Sequence, residues 1–179
     1  MNSALDWLMT LIGTPYVWWM PSDSVLGDCG PFWWSAGPVP AVERIRQEGC
    51  NCAGLMNLLF RKLGRVPLGT TVEWFAELEG VEQRTAEGTD FEEGTILLRP
   101  YSGPEDQGHI AMVLSGGRLL HCYPSTNVPR RGLDFPGIAI DESWKISDCW
   151  VSKEGGYYTH VCRPGRAKDC SRYFSRYVA

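Results

Sequence analysis

The chain opens with an apolar pattern at helical spacing. Leu5, Leu8, Met9 and Ile12 recur every three or four residues, which predicts a helix over 3–12. Ser3 is placed to cap it, Asp6 follows three residues on, and Gly13 ends it. Thr14-Pro15-Tyr16 then starts an extended segment. Residues 20–40 are rich in Gly, Pro, Ser and Trp and predict a loop, with a short turn of helix at 40–47. Leu55, Met56, Leu59 and Leu63 repeat the helical period over 52–63, and Gly64 stands where a helix C-terminus favours glycine. Thr70 or Thr71 is placed to cap a further helix through Leu78, closed by Gly80, and residues 81–94 are polar and acidic.

The period then changes. Thr95–Arg99, Ile110–Ser115 and Arg118–Tyr123 predict strands, and Gly116-Gly117 is a two-residue hairpin signal. Gly137–Ile140 and Tyr157–Arg163 predict two more strands. Helices first and an antiparallel meander afterwards make an α+β layout rather than alternating βαβ units.

Composition narrows the class. The chain has 179 residues, 44% hydrophobic and 21% charged, as a folded domain does. The expectation is a single domain over 1–165, with a long insertion loop at 20–48 and a basic tail at 166–179. A loop of this length points to function. The net charge of −4 argues against a general nucleic-acid partner, and no apolar run is long enough for a membrane span. The first residues lack the basic start and apolar core of a secretory signal. The expected setting is therefore cytoplasmic, phage- or virus-associated, or reached by an export route other than a cleaved signal.

Seven Cys and only three His focus the chemistry. Cys52 opens the strongest predicted helix, where backbone N–H groups and the helix dipole favour a thiolate. Ala53 and Gly54 are small enough to let a substrate approach. His109 and His121 lie twelve residues apart on the two arms of the predicted hairpin, which brings them close together. Cys52 as nucleophile, His109 as base and His121 as its orienter satisfy the logic of nucleophilic catalysis. Each has a plainer reading: Cys is a common core residue, and a strand histidine often just packs. His160 has no partner motif and reads as structural.

Cys50-Asn51-Cys52 with His121-Cys122 also invites a zinc reading, but structural zinc normally shows two spaced ligand pairs, so no metal or other cofactor is expected. Cys50 alternatively forms a reversible disulfide with another Cys and regulates the site. Eight Trp, including the pairs Trp18-Trp19 and Trp33-Trp34, make either a core plug or an aromatic lid.

With these residues in order, the chain resembles the NlpC-type cysteine peptidases, a papain-like clan acting on bacterial cell-wall peptides. The resemblance is carried by Gly13-Thr14-Pro15-Tyr16-Val17-Trp18, by Asn51-Cys52-Ala53-Gly54-Leu55, by Gly108-His109-Ile110-Ala111 and by Leu120-His121-Cys122. It runs over residues 3–163. It implies a papain-like fold with the Cys helix packed on an antiparallel sheet of about five strands. It also implies a Cys52–His109–His121 site working through a thioester, with the Cys52 backbone N–H in the oxyanion hole. Tyr16, Asn51, Ala53 and Trp18 are the expected substrate-binding or oxyanion residues, and a peptide or peptidoglycan fragment is the expected partner. The chain departs from the pattern where an amine would be bound: the usual Asp before the Cys is Asn51 and the usual Ser after it is Ala53. The usual Gly-Gly after the first Trp is Trp19-Met20, and the Gly-Asp before the first strand is Gly94-Thr95. Two alternatives remain open. One is a thiol acyltransferase or lipid amidase on the same fold, and the other a catalytically silent binding or virion module.

Overall fold

A computed structural model describes residues 3–17, 38–64, 81–83, 91–100, 108–123, 136–141 and 158–163. Most of the expected loop at 20–40, the expected helix at 70–78, the tail at 166–179, Trp18, Trp19, Trp33, Trp34, Cys29, Cys149 and Cys170 lie outside these residues. The chain groups into two compact units. The first comprises Met1–Gly69 with Cys122–Ala139, and the second Thr70–His121 with Ile140–Ala179.

Helix α1 covers Ser3–Met9, α2 Val42–Glu48 and α3 Cys52–Lys62. The first helix is shorter than its apolar pattern predicts. Thr10, Leu11 and Ile12 donate to carbonyls three residues back, and the Thr10 hydroxyl takes the Trp7 carbonyl at 2.6 Å. The chain thus tightens into turns and leaves the α-helical path. Ile12 consequently leaves the apolar face and is 39% exposed, while Leu11 is fully buried in its place. In the first unit α1 packs on α3, with the Lys62 ammonium 5.3 Å from the centre of the Trp7 ring. The third helix ends as its sequence predicts, with Gly64 at φ +68°. It is buried from Cys52 through Arg61, so it is a core helix and not the one-faced surface helix that its spacing alone suggests.

The strands are β1 (Val81–Gln83), β2 (Ile96–Arg99), β3 (His109–Val113), β4 (Leu119–Tyr123), β5 (Gly137–Asp141) and β6 (His160–Cys162). They form one sheet in the order β1-β6-β2-β3-β4-β5, six strands where about five were expected. The extra strand is β1, hidden in a stretch whose polar composition conceals it. Backbone pairing with β6, Val81 opposite Cys162 and Gln83 opposite His160, makes it a strand where side-chain pattern does not.

Strands β3 and β4 pair antiparallel with Val113 opposite Leu119 and Ala111 opposite His121. Their connection is wider than the two-residue turn expected. It is a tight 3₁₀ turn over Ser115–Gly117, with Gly116 and Gly117 both at φ +74°. It is closed by the Leu114 N–H on the Arg118 carbonyl at 2.7 Å and the Gly117 N–H on the Leu114 carbonyl at 3.2 Å. Phe91, Leu97, Ala111, Val113, Leu119, Tyr158 and Val161 form the core of the second unit. No helix among the described residues is long and apolar enough to cross a membrane.

Candidate active site

The first unit holds the candidate nucleophile. Asn51 is the N-cap of α3: its backbone is extended (φ −120°, ψ −177°) and its Oδ1 accepts the Gly54 N–H at 2.7 Å. That cap starts the helix at Cys52, so the thiol occupies the first helical turn, where the unpaired backbone N–H groups and dipole act on an anion. Cys52 is 7% exposed, and Asn51 and Ala53 are buried beside it.

The segment leading into α3 is held from the other side by Pro15–Val17. Cys50 donates to the Pro15 carbonyl at 2.9 Å, and its own carbonyl accepts from Val17 at 2.8 Å. Tyr16 and Cys50 thereby form a parallel bridge, which puts half-buried Tyr16 alongside the entry to α3. Gly49 makes this possible: at φ +80° it favours glycine, and a Cβ there would sit 2.1 Å from Val17 Cγ2 and 3.0 Å from the Pro15 carbonyl.

The second unit holds the histidines. In antiparallel pairing, residues opposite one another share a face, as do residues two apart on one strand. Ala111 faces His121, so His109 lies diagonal to His121 on that face. The His109 Nε2 is 3.2 Å from the His121 Nδ1, with the rings edge to face at 76°. His121 Nε2 in turn lies 3.2 Å from Asp141 Oδ2. This second contact has ion-pair distance without the alignment of a straight hydrogen bond, so the carboxylate acts on the ring mainly through its charge. His109 is 2% exposed, His121 fully buried and Asp141 4% exposed. Arg99, also buried, is the register partner of His109 on β2, and the Tyr158 ring centre is 6.0 Å from that of His109.

The carboxylate orders the protons. Facing Asp141, the His121 Nε2 carries its hydrogen, so in neutral His121 the Nδ1 is an acceptor. His109 Nε2 must then donate to it, which makes His109 Nδ1 the basic nitrogen. Burial, and secondarily the neighbouring His121, hold the His109 pKa well below its ordinary 6.5. His109 is therefore neutral, and a proton acceptor, at neutral pH.

Asp141 is the site residue that the sequence reading missed. Its signal was a single acidic residue ending an otherwise apolar strand prediction. His160 is apart from this group: it sits half-buried on β6 with its Nδ1 2.9 Å from the Thr159 hydroxyl, and burial lowers its pKa. Cys162 is disulfide-bonded, whereas Cys50, Cys52 and Cys122 are not. No group of three or more His, Cys, Asp or Glu among the described residues is arranged to hold a metal ion. Trp18 lies outside the described residues.

No family model and no curated protein matches the chain. Among solved structures, the chain is similar to the NlpC/p60 domain of the peptidoglycan hydrolase SagA. The match has 20% identity and a TM-score of 0.41 over 78% of this chain and 86% of that one. It is also similar to the P60 domain of the M. avium subspecies paratuberculosis antigen MAP1204, with 18% identity and a TM-score of 0.46 over 89% of this chain and 90% of that one.

Proposed function

We propose that the chain is a cysteine hydrolase that cleaves an amide bond, with a peptide or isopeptide bond of cell-wall peptide as its substrate. Residues 1–165 are its catalytic domain and 166–179 a basic tail. The observation that carries the reading is the buried His109–His121–Asp141 series. Three polar side chains in succession are costly to bury, and a proton relay is a use for which that cost is repaid.

In this reading Cys52 attacks the substrate carbonyl carbon. His109 Nδ1 takes the thiol proton as the carbon–sulfur bond forms. The charge that develops on the carbonyl oxygen is met by the Cys52 backbone N–H at the start of α3. His109 gives the proton to the leaving nitrogen, the carbon–nitrogen bond breaks, and a thioester on Cys52 remains. His109 then takes a proton from water as its oxygen attacks the thioester, and the acid product leaves with Cys52 restored. His121 and Asp141 hold the tautomer and orientation of His109 through the reaction. Tyr16, Asn51, Ala53 and Trp18 line the substrate side in this proposal. Asn51 carries no charge and spends its side-chain oxygen on the helix cap, so the substrate is held by contacts other than an ammonium–carboxylate pair.

The test is a digestion of purified cell-wall peptide fragments, followed by quantification of new amino groups and by intact-mass analysis of the rapidly quenched enzyme. New amines together with an acyl adduct on Cys52, both lost in Cys52→Ala and in His109→Ala, are the expected result. Amine release that persists in Cys52→Ala would overturn the reading. Transfer of the acyl group to an added amine in preference to water would replace hydrolase with acyltransferase.

A further inference from the structure

The reaction above uses one thiol, and the first unit places two more beside it. Cys50 and Cys122 are both fully buried, and neither is in a disulfide. They come from separate parts of the chain, 72 residues apart, yet the Cys122 thiol donates to the Cys50 carbonyl oxygen at 3.3 Å. The Cys50 thiol donates to the Asn51 carbonyl at 3.3 Å. Both backbones are pinned. Cys122 is in strand β4, and Cys50 is bridged to Tyr16 and preceded by a glycine that tolerates no side chain. The Cys122 thiol is thus held against Cys50 by backbone that is itself fixed.

Core packing alone accounts for a buried thiol, but it does not require two from distant segments to meet. Burial and contact with the Cys50 side chain hold the Cys122 pKa well above its usual value, with smaller contributions from the charges of Cys50 and Cys52. Cys122 is therefore a protonated thiol at rest. Both thiols are fully buried, so the pair is shielded from bulky electrophiles.

We propose that Cys50 and Cys122 are a redox pair that closes to a disulfide when the protein meets a peroxide, next to the nucleophile but without consuming it. One thiol is oxidised by the peroxide to a sulfenic acid, and the first water leaves. The sulfur of the other thiol attacks the sulfenic sulfur, the S–O bond breaks, and the departing hydroxide takes the thiol proton as the second water. Two thiols lose two electrons in total, and one peroxide gains them. A dithiol reductant reverses the step by thiol–disulfide exchange. The closed pair would fasten the segment entering α3 to β4. It would also remove the two neighbouring thiols able to capture an oxidised Cys52.

The experiment uses the full chain treated with graded hydrogen peroxide, alkylated under denaturing conditions, digested without reduction and mapped by mass spectrometry. Peptides joining Cys50 to Cys122 should appear, and should disappear after dithiothreitol. A cross-link spanning so much of the chain should raise the melting temperature by roughly 5 °C or more. Cys50→Ala and Cys122→Ala should each abolish the link and the shift. The same link must form in Cys52→Ala, where hydrolysis is absent, so the result stands apart from the fate of the proposed activity. The inference is overturned if Cys50 and Cys122 are both recovered alkylated after Cys52 has been oxidised, or if either is found joined to Cys52. Should the alanine variants fail to fold, the linkage map of the unmutated chain decides alone.

Discussion

Burying His109 as a neutral base should cost the protein stability in mild acid, and the size of the effect follows from its surroundings. His109 is 2% exposed, and burial first, with His121 second, holds its pKa well below 6.5. In the unfolded chain the same ring titrates near the ordinary value. Above that value neither state binds the proton, so His109 contributes no pH dependence. Below it the unfolded chain takes up a proton that the folded protein refuses. Unfolding is then favoured, and stability falls as pH falls until the folded pKa is reached. One such proton gives a limiting slope of about 1.4 kcal/mol per pH unit, hence a loss of about 1.4 kcal/mol between neutral pH and 5.5. That is a sizeable part of the 5–15 kcal/mol typical of a domain. Other groups titrate over the same range, so the quantity to measure is a difference. His109→Gln keeps a nitrogen donor near the Nε2 position and cannot be protonated. Urea unfolding of both proteins between pH 7.5 and 5.5 should show the stability of the original chain falling faster by the slope of one proton. Parallel curves would refute the idea that His109 is held neutral by burial.

Asp141→Asn should leave the circular dichroism spectrum unchanged but lower kcat by roughly 10²–10⁴, because an amide can face His121 with its NH₂ and so reverse both tautomers, removing the basic nitrogen of His109. Gly49→Ala should destabilise the fold by about 2 kcal/mol or more in urea unfolding, since φ +80° and the 2.1 Å approach to Val17 both oppose a side chain. Asn51→Ala should cost about 1 kcal/mol through loss of the α3 cap, and Asn51→Asp should keep that stability. Asn51→Asp should also raise kcat/KM for peptides with a free N-terminal amine, by roughly tenfold over the acetylated peptide, whereas the unmutated chain should treat the two alike.

Much of this was legible in the sequence because its signals are local. The spacing of Leu55, Met56, Leu59 and Leu63 announced α3, Gly64 its end, and the spacing of His109 and His121 across a glycine pair announced their meeting. What escaped depended on pairing between distant segments. Strand β1 is too short and polar to show a period, and exists because β6 offers it hydrogen bonds. Asp141 ends β5, and nothing within that strand records that its carboxylate will come to the Nε2 of His121. The early end of α1 was equally hidden, since Ile12 fits the helical spacing and only the i−3 hydrogen bonds of Thr10 to Ile12 remove it from the face. Cys122 carried no signal of its own as a partner for Cys50, because that contact joins a strand to a loop 72 residues away.

Among the described residues of the first unit Cys50, Cys52 and Cys122 are outside any disulfide, and in the proposed reaction backbone position rather than residue type singles out Cys52. Cys50 precedes the helix and directs its thiol to the Asn51 carbonyl, a partner that accepts a proton and offers none to an anion. Cys122 points at the Cys50 carbonyl from within strand β4. Both thiols are donors to backbone carbonyl oxygens. Cys52 alone of the three stands in the first turn of an eleven-residue helix, where the dipole favours an anion. The Asn51 cap is what sets that difference. It fixes the register at which the helix begins, and a start displaced by one residue would give the favourable field to another position. Capping and nucleophile selection are therefore one structural decision, made by the side chain immediately before Cys52.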